Sequence, residues 1–394
     1  MSRRFATVSG VVLTLLVACG GEQNDQEAGI EELNLVQEWV IDGHANNLVS
    51  VFWMAAAEDG RLFVAQSLEA KLLVVSDEGQ VIGSFGRSGE GPGEFLNLVY
   101  GGLRSDTLWV YDGRQRRVTF ISPELNFLRT APGVTGPIFL RSAEHAVEFE
   151  GVSFQAMTAD GAIYASLTLR TAQPGFPLEP TLNRRGIVES DGTVRRLIAT
   201  YDGGPSNYRI EMPNVIAGGR FPFPILPFME ISSDGSHYGQ VLTSVEGPDA
   251  GTFQVISLDA EGDTVYSRRV PFDIVELPSV VADSVIDAAV TTMESRISGM
   301  GEPYRDLAWV PPMYPPVEDL VVGTDGSIWI RLRPRDEGTS RYLVLRPDGA
   351  PHGEATLPGD VRLMTASIRE AWGVIVDELD VESVVKYSVA QGTR

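Results

Sequence analysis

Cysteine is nearly absent: Cys19 is the only one in 394 residues, so no disulfide framework can staple this chain in any compartment. Histidine is scarce too, and His44, His145, His237 and His352 show no ligand spacing, which leaves zinc and redox metals without a donor set. Lys and Arg total 31 against 53 Asp and Glu, a net charge of −22, and a surface of that sign repels nucleic acid and anionic lipid head groups. There is no Gly-x-Ser-x-Gly elbow, no phosphate loop ending in Lys-Ser/Thr and no Asp-x-Asp-x-Asp-Gly calcium loop. The apolar run Phe5 to Ala18 is too short to span a bilayer comfortably.

Arg3 and Arg4 precede that run, the pattern of an export leader, so residues 1–18 read as a signal peptide. The run ends in Leu16-Val17-Ala18-Cys19-Gly20, which resembles the lipobox of bacterial lipoproteins. That resemblance implies lipidation of Cys19, contact with the membrane through the lipid alone and, because Gly20 is not aspartate, an outer-membrane address in either leaflet. Losing Arg3 and Arg4 takes the net charge from −22 to −24. Residues 19–33 are polar, acidic and Gly-containing, as a flexible tether would be.

What the chain has in abundance is repetition. A turn followed three positions later by an aromatic recurs as Asp59-Gly60…Phe63, Ser105-Asp106…Trp109, Asp160-Gly161…Tyr164, Asp234-Gly235…Tyr238 and Asp325-Gly326…Trp329. A degenerate copy ends at Trp372. A second series of turns, Asp77-Glu78-Gly79, Asp191-Gly192, Glu261-Gly262 and Asp348-Gly349, runs in phase with the first. The aromatics lie 46, 55, 74, 91 and 43 residues apart, and the shortest spacings match a four-stranded propeller blade of about 40–50 residues. The expectation is all-β: a six-bladed β-propeller over residues 34–394, with strands near Val51–Ala57, Arg61–Gln66, Leu72–Ser76 and Gln80–Phe85 in the first blade. The last blade runs out of chain after Ser383–Val389, so the N-terminal segment Leu35–Ile41 is expected to close it and remove an open edge.

The two long spacings call for insertions. Residues 203–227, rich in Gly, Pro and Phe, read as a loop over one face. Residues 279–298 read as one inserted amphipathic helix, with Val281, Val285, Ala289, Met293 and Ile297 as its apolar stripe, Pro278 before it and Gly299 after.

In the second blade, Gly89-Glu90-Gly91-Pro92-Gly93-Glu94-Phe95, then Leu108-Trp109-Val110-Tyr111-Asp112, then Arg117-Val118-Thr119-Phe120 resembles an NHL repeat. The match is partial in the first blade, and elsewhere only turn and aromatic survive. As a whole the chain is similar to bacterial six-bladed propeller lipoproteins related to NHL-repeat and gluconolactonase-like propellers. The NHL resemblance implies a macromolecule-binding module. The gluconolactonase-like one implies a metal-dependent lactone or ester hydrolase, with a divalent ion held in the central channel by Glu, Asn and Asp. Fold alone does not choose between them.

Candidate sites follow from chemistry. Carboxylates at the inner-strand entrances, Glu148, Glu150, Glu230, Glu318 and Asp319, would offer oxygen ligands to calcium if they converge, and otherwise form a solvated rim. Arg220, Phe221, Phe223 and Tyr314 lie in the inserted segments, where loops on a rigid scaffold place binding anchors; the plainer role for Phe221 and Phe223 is to plug the insertion against the ring. Phe95 and the repeated aromatics read as core. The resulting expectation is a lipid-anchored envelope propeller that binds an envelope protein or a small extracytoplasmic ligand, or senses a nascent envelope protein, with the hydrolase as the alternative and no nucleic acid as partner.

Overall fold

A computed structural model describes residues 30–134, 140–141, 148–169, 182–202, 207–212, 215–225, 227–245, 250–336 and 338–391. Cys19, the segment read from the sequence as a signal peptide and most of that read as a tether lie outside the described residues, and the statements below concern the unit Glu31–Arg394.

The fold is all-β and propeller-like, built of sheets that are sequential in the chain. After β1 (Glu32–Ile41) and the turn of helix α1 (Gly43–Asn46), a four-stranded sheet comprises β2 (Val51–Ala56), β3 (Leu62–Gln66), β4 (Lys71–Val75) and β5 (Val81–Phe85). The next comprises β6 (Leu98–Arg104), β7 (Thr107–Asp112), β8 (Arg117–Ile121) and β9 (Phe127–Pro132). A third pairs β10 (Leu140–Arg141), β11 (Glu148–Met157), β12 (Ile163–Leu169), β13 (Leu182–Val188) and β14 (Val194–Asp202). The hairpin β15 (Asn207–Met212) and β16 (Val215–Arg220) stands apart, followed by the sheet of β17 (Phe228–Ile231), β18 (Tyr238–Val245), β19 (Ala250–Leu258) and β20 (Thr264–Asp273). Helices α2 (Ser279–Arg296) and α3 (Gly301–Leu307) precede β21 (Val317–Val322), β22 (Ile328–Leu332), β23 (Thr339–Leu345) and β24 (Pro351–Pro358). The chain finishes with β25 (Val361–Ala366), β26 (Glu370–Val376) and β27 (Glu382–Gln391), which share one eight-stranded sheet with β21–β24 and β1.

The two turn series explain themselves locally. In the first, the aspartate side chain accepts a hydrogen bond from the N–H two residues on, as from Arg61 to Asp59 and from Ser327 to Asp325, both at 3.1 Å. The glycine takes the left-handed conformation that other residues rarely adopt, as at Gly60 with φ 86°. In the second series the glycine also makes room for the neighbouring sheet: a Cβ on Gly349 would lie 2.6 Å from the ring of Tyr266, and one on Gly79 2.7 Å from Trp39. The repeat is therefore a docking device as well as a turn.

The six repeated aromatics, Phe63, Trp109, Tyr164, Tyr238, Trp329 and Trp372, are all buried, as is Phe95. Each such ring contributes on the order of 1.5–3 kcal/mol by leaving water. The Gly86–Gly93 loop is structural: Arg117 donates to the carbonyls of Glu90, Gly91 and Glu94, and the buried Asp112 accepts from the N–H groups of Leu96, Asn97, Arg114 and Gln115.

β1 pairs antiparallel with β27 from Leu33↔Gln391 to Ile41↔Val384, so the N-terminal strand completes the last sheet as expected. Glu32 and Leu33, read from the sequence as tether, already belong to this strand. The insertions differ more from expectation. The segment 203–227 is not a plain loop but carries the β15–β16 hairpin, and the helical insertion continues past α2 into α3. Ile210, Phe221, Met300 and Tyr304 form a buried cluster with Ala289, Met293 and Ile297 against it, so the two insertions share one small core. The most buried residues of α2 are Ala282 and Ile286, one position off the stripe read from the sequence. A four-residue spacing drifts around a helix of 3.6 residues per turn, and the buried face follows the helix.

Candidate functional site

Strands β2, β6, β11, β17, β21 and β25, the first full-length strand of each repeat, surround a cavity of about 220 Å³. Strand register builds its wall. The repeated aromatics pair with Ala55, Gly102, Ala156, Ile231, Val321 and Thr365. The residue before each of these, Met54, Gly101, Gln155, Glu230, Leu320 and Met364, lies in the wall. One level of the channel thus holds a single acid and a single amide among apolar groups. Bulges at Phe52, Gln155 and Met364 re-aim these side chains, all three of which line the cavity.

One residue nearer the strand starts stand Trp53, Tyr100 and Met229. Gly101 makes room for its neighbour, because a Cβ there would lie 1.9 Å from Cζ2 of Trp53. The Tyr100 hydroxyl donates to Gln155 Oε1 at 3.4 Å. The indole N–H groups of Trp53 and Trp109 and the Ser233 hydroxyl, all in wall residues, have no hydrogen-bond partner among the described residues.

The electrostatics centre on Glu230. Its carboxylate is open to the cavity, yet protein surrounds it, and this enclosure pushes its pKa up to about 7; Asp319 raises it further and Arg185 opposes. Burial also raises the Asp319 carboxyl, against the Leu320 N–H and the charges of Arg331 and Arg362. Burial raises Glu318 as well, and Arg331, 3.3 Å away, counters it. Enclosure also raises the hydroxyls of Tyr100 and Tyr164, both of which feel Arg185 and Glu230.

Of the carboxylates singled out in the sequence, Glu230 is in the wall, Asp319 is its electrostatic neighbour and Glu318 is an arginine-paired residue nearer the surface. The side chains of Glu148 and Glu150 lie outside the described residues. Among the described residues no group of three or more His, Cys, Asp or Glu is placed to hold a metal ion. The four loop candidates separate. Phe221 is buried at 3% exposure against Tyr208 and Tyr304, which makes it a plug of the insertion core. Arg220 is exposed at the end of β16. Phe223 meets Tyr314 edge-on at 5.9 Å, and the Arg333 guanidinium stacks 3.7 Å over the same tyrosine, tying both insertions to the end of β22.

Phe52, Trp53, Tyr100, Gln155 and the methionines escaped the sequence reading. A signal for the wall exists: Met54, Gly101, Gln155, Glu230, Leu320 and Met364 each stand eight or nine positions before a repeated aromatic. Bulges vary that count, so it shows only once register is known.

No protein-family model matches the chain, and no curated protein matches it. Solved structures are similar in fold. A member of the DUF4221 family from Bacteroides vulgatus is 12% identical, with 93% of this chain and 100% of that one covered and a TM-score of 0.48. Regucalcin, a calcium-binding protein from Agrobacterium tumefaciens, is 11% identical, with 93% and 98% covered and a TM-score of 0.38. Virginiamycin B lyase from Staphylococcus aureus is 10% identical, with 91% and 99% covered and a TM-score of 0.39. Among the described residues no helix is long and apolar enough to cross a membrane.

Proposed function

We propose that this chain is an extracytoplasmic six-bladed propeller, lipid-anchored at Cys19 at the outer membrane, that acts as a binding module and holds a small ligand in its central cavity. The blade count treats the eight-stranded sheet as two blades, β21–β24 and β25–β27 with β1, joined where Glu32 and Leu33 run parallel to Glu354 and Ala355. One observation carries the functional reading: every repeat contributes to one enclosed cavity wall in which apolar and polar groups mix in near-equal measure around an acid of perturbed pKa. Arg220, Phe223 and Tyr314 would supply a second contact surface, for an envelope protein, at the inserted segments.

The alternative, a metal-dependent lactone or ester hydrolase using calcium, is favoured by the shared level of Glu230 and Gln155 and by the charge of Asp319 acting on Glu230. Native mass spectrometry of the detergent-solubilised full chain, beside a lactone and ester screen with calcium, magnesium, manganese or chelator, separates the two readings. A co-purified or titratable small molecule without turnover supports the binding module. Chelator-sensitive hydrolysis lost in Glu230→Gln would replace it with the enzyme.

A further inference from the structure

The cavity wall also restricts what its ligand can be. Among the described residues Glu230 is the only charged one in the wall, and it has neither a hydrogen-bond nor an ion-pair partner there. Around it the wall is lined by aromatic rings and thioethers, chiefly Phe52, Trp53 and Tyr100 with Met54, Met229 and Met364. Phe52 is 49% exposed although it sits on an inner strand, because the bulge turns it into the open channel. Trp53 is 8% exposed, and its orientation is set by the missing side chain at Gly101.

Each ligand class meets this wall differently. A hard cation such as calcium takes about 6–8 oxygen ligands, whereas the level of Glu230 otherwise offers two methionines, a leucine, a glycine and one amide. An anion meets the field of Glu230 and Asp319, which Arg185, outside the wall, opposes but does not outweigh. A neutral polyol could use the hydroxyls and amide of the wall but would leave the Glu230 charge without a counter-ion. An organic ammonium ion satisfies both features, because aromatic faces attract a weakly hydrated cation and the carboxylate neutralises it. The unpartnered N–H of Trp53 and hydroxyl of Ser233 leave hydrogen-bonding capacity in the same wall for an oxygen on the ligand.

We propose that the central cavity binds a small organic ammonium cation, with its positive charge against Glu230 and its alkyl groups on Phe52, Trp53 and Tyr100. This rests on the binding-module reading above and names its ligand class.

The test uses the detergent-solubilised full chain, titrated calorimetrically at pH 8 with choline chloride and with its neutral carbon isostere, 3,3-dimethylbutan-1-ol. Choline is expected to bind at least tenfold more tightly than the isostere, and Glu230→Gln to remove that preference while the variant unfolds at or above the wild-type temperature. Phe52→Ala, at a half-exposed position, should weaken choline severalfold with little change in unfolding. Equal binding of the two probes, or choline binding unchanged in Glu230→Gln, overturns the proposal. If choline gives no heat while native mass spectra still show another small molecule held by the chain, the ammonium assignment fails and the binding module stands. Heat from calcium chloride that Glu230→Gln abolishes, with none from choline, overturns both.

Discussion

Lys386 Nζ lies 2.5 Å from Asp77 Oδ1, joining the last strand of the chain to the turn between β4 and β5 of the first sheet. The lysine is 3% exposed and also reaches Glu370 at 2.8 Å and Glu38 at 3.3 Å. Its ammonium is the common counter-ion of three carboxylates from three segments, placed where the ring closes.

Lys386→Met removes that counter-ion and leaves the three carboxylates facing one another. The carboxylates are 38–58% exposed, so water screens part of the loss, and a destabilisation of about 1.5–3 kcal/mol is expected in urea unfolding. Burial lowers the lysine pKa but its hydrogen bonds to Asp77 and Glu370 outweigh that, for a net upward shift. At neutral pH the contribution is therefore whole, and on the alkaline side it persists to the ordinary lysine pKa of about 10.4 and is lost as pH rises through the higher folded value. An unchanged urea midpoint in the variant would remove the closing role.

Glu230 acts in the opposite sense. A carboxyl raised to about 7 binds its proton more tightly folded than unfolded, so it costs stability above its unfolded pKa and the cost levels off above pH 7. The groups facing it are Asp319, Arg185 and the hydroxyls of Tyr100 and Tyr164. With the cavity water screening the charge, Glu230→Gln should gain roughly 1–2 kcal/mol at pH 8 and almost nothing at pH 4. A difference that does not vary between these pH values would show that the carboxyl titrates normally.

Gly79→Ala forces a side chain onto a backbone at φ 79° and into the Trp39 ring. The strain alone costs about 1–2 kcal/mol, and Trp39 must also release its hydrogen bond to the Asp77 carbonyl. Trp39 fluorescence should become more solvent-exposed in the folded variant; wild-type emission and stability together would show that the turn yields freely.

Phe221→Ala should open a cavity in the core shared by the two insertions and cost about 3–5 kcal/mol of local stability. The readout is hydrogen exchange, with faster exchange in α2, α3 and the β15–β16 hairpin and unchanged exchange in β2–β5. Phe223→Ala removes only an edge contact to Tyr314 and should leave exchange near wild type. Uniform acceleration across the ring would mean that the insertions are not a separable unit.

The repeat was legible because it is local chemistry: an Asp-Gly turn and an aromatic three positions later announce a strand pair wherever they fall. Closure by the N-terminal strand was legible by elimination, since Leu35–Ile41 had no other partner. The shared core of the insertions was not, because Ile210 and Phe221 meet Met300 and Tyr304 only after a whole sheet, β17–β20, has been laid down between them. The cavity wall was hidden for a different reason. Bulges shift which residue of an inner strand faces inward, and Phe52 and Met364 look in the sequence like ordinary core residues.

The pairing of β1 with β27 also orders events in time. Gly43 donates to the Ser383 hydroxyl across 340 positions, so β1 lacks its antiparallel partner until all the sheets between it and β27 have been made. Until then its Val36 and Val40 side chains and its unpaired backbone are a template for any passing strand. A chain of this design depends on being escorted or on being quick, and the single strand β27 decides whether β1 is paired along its length.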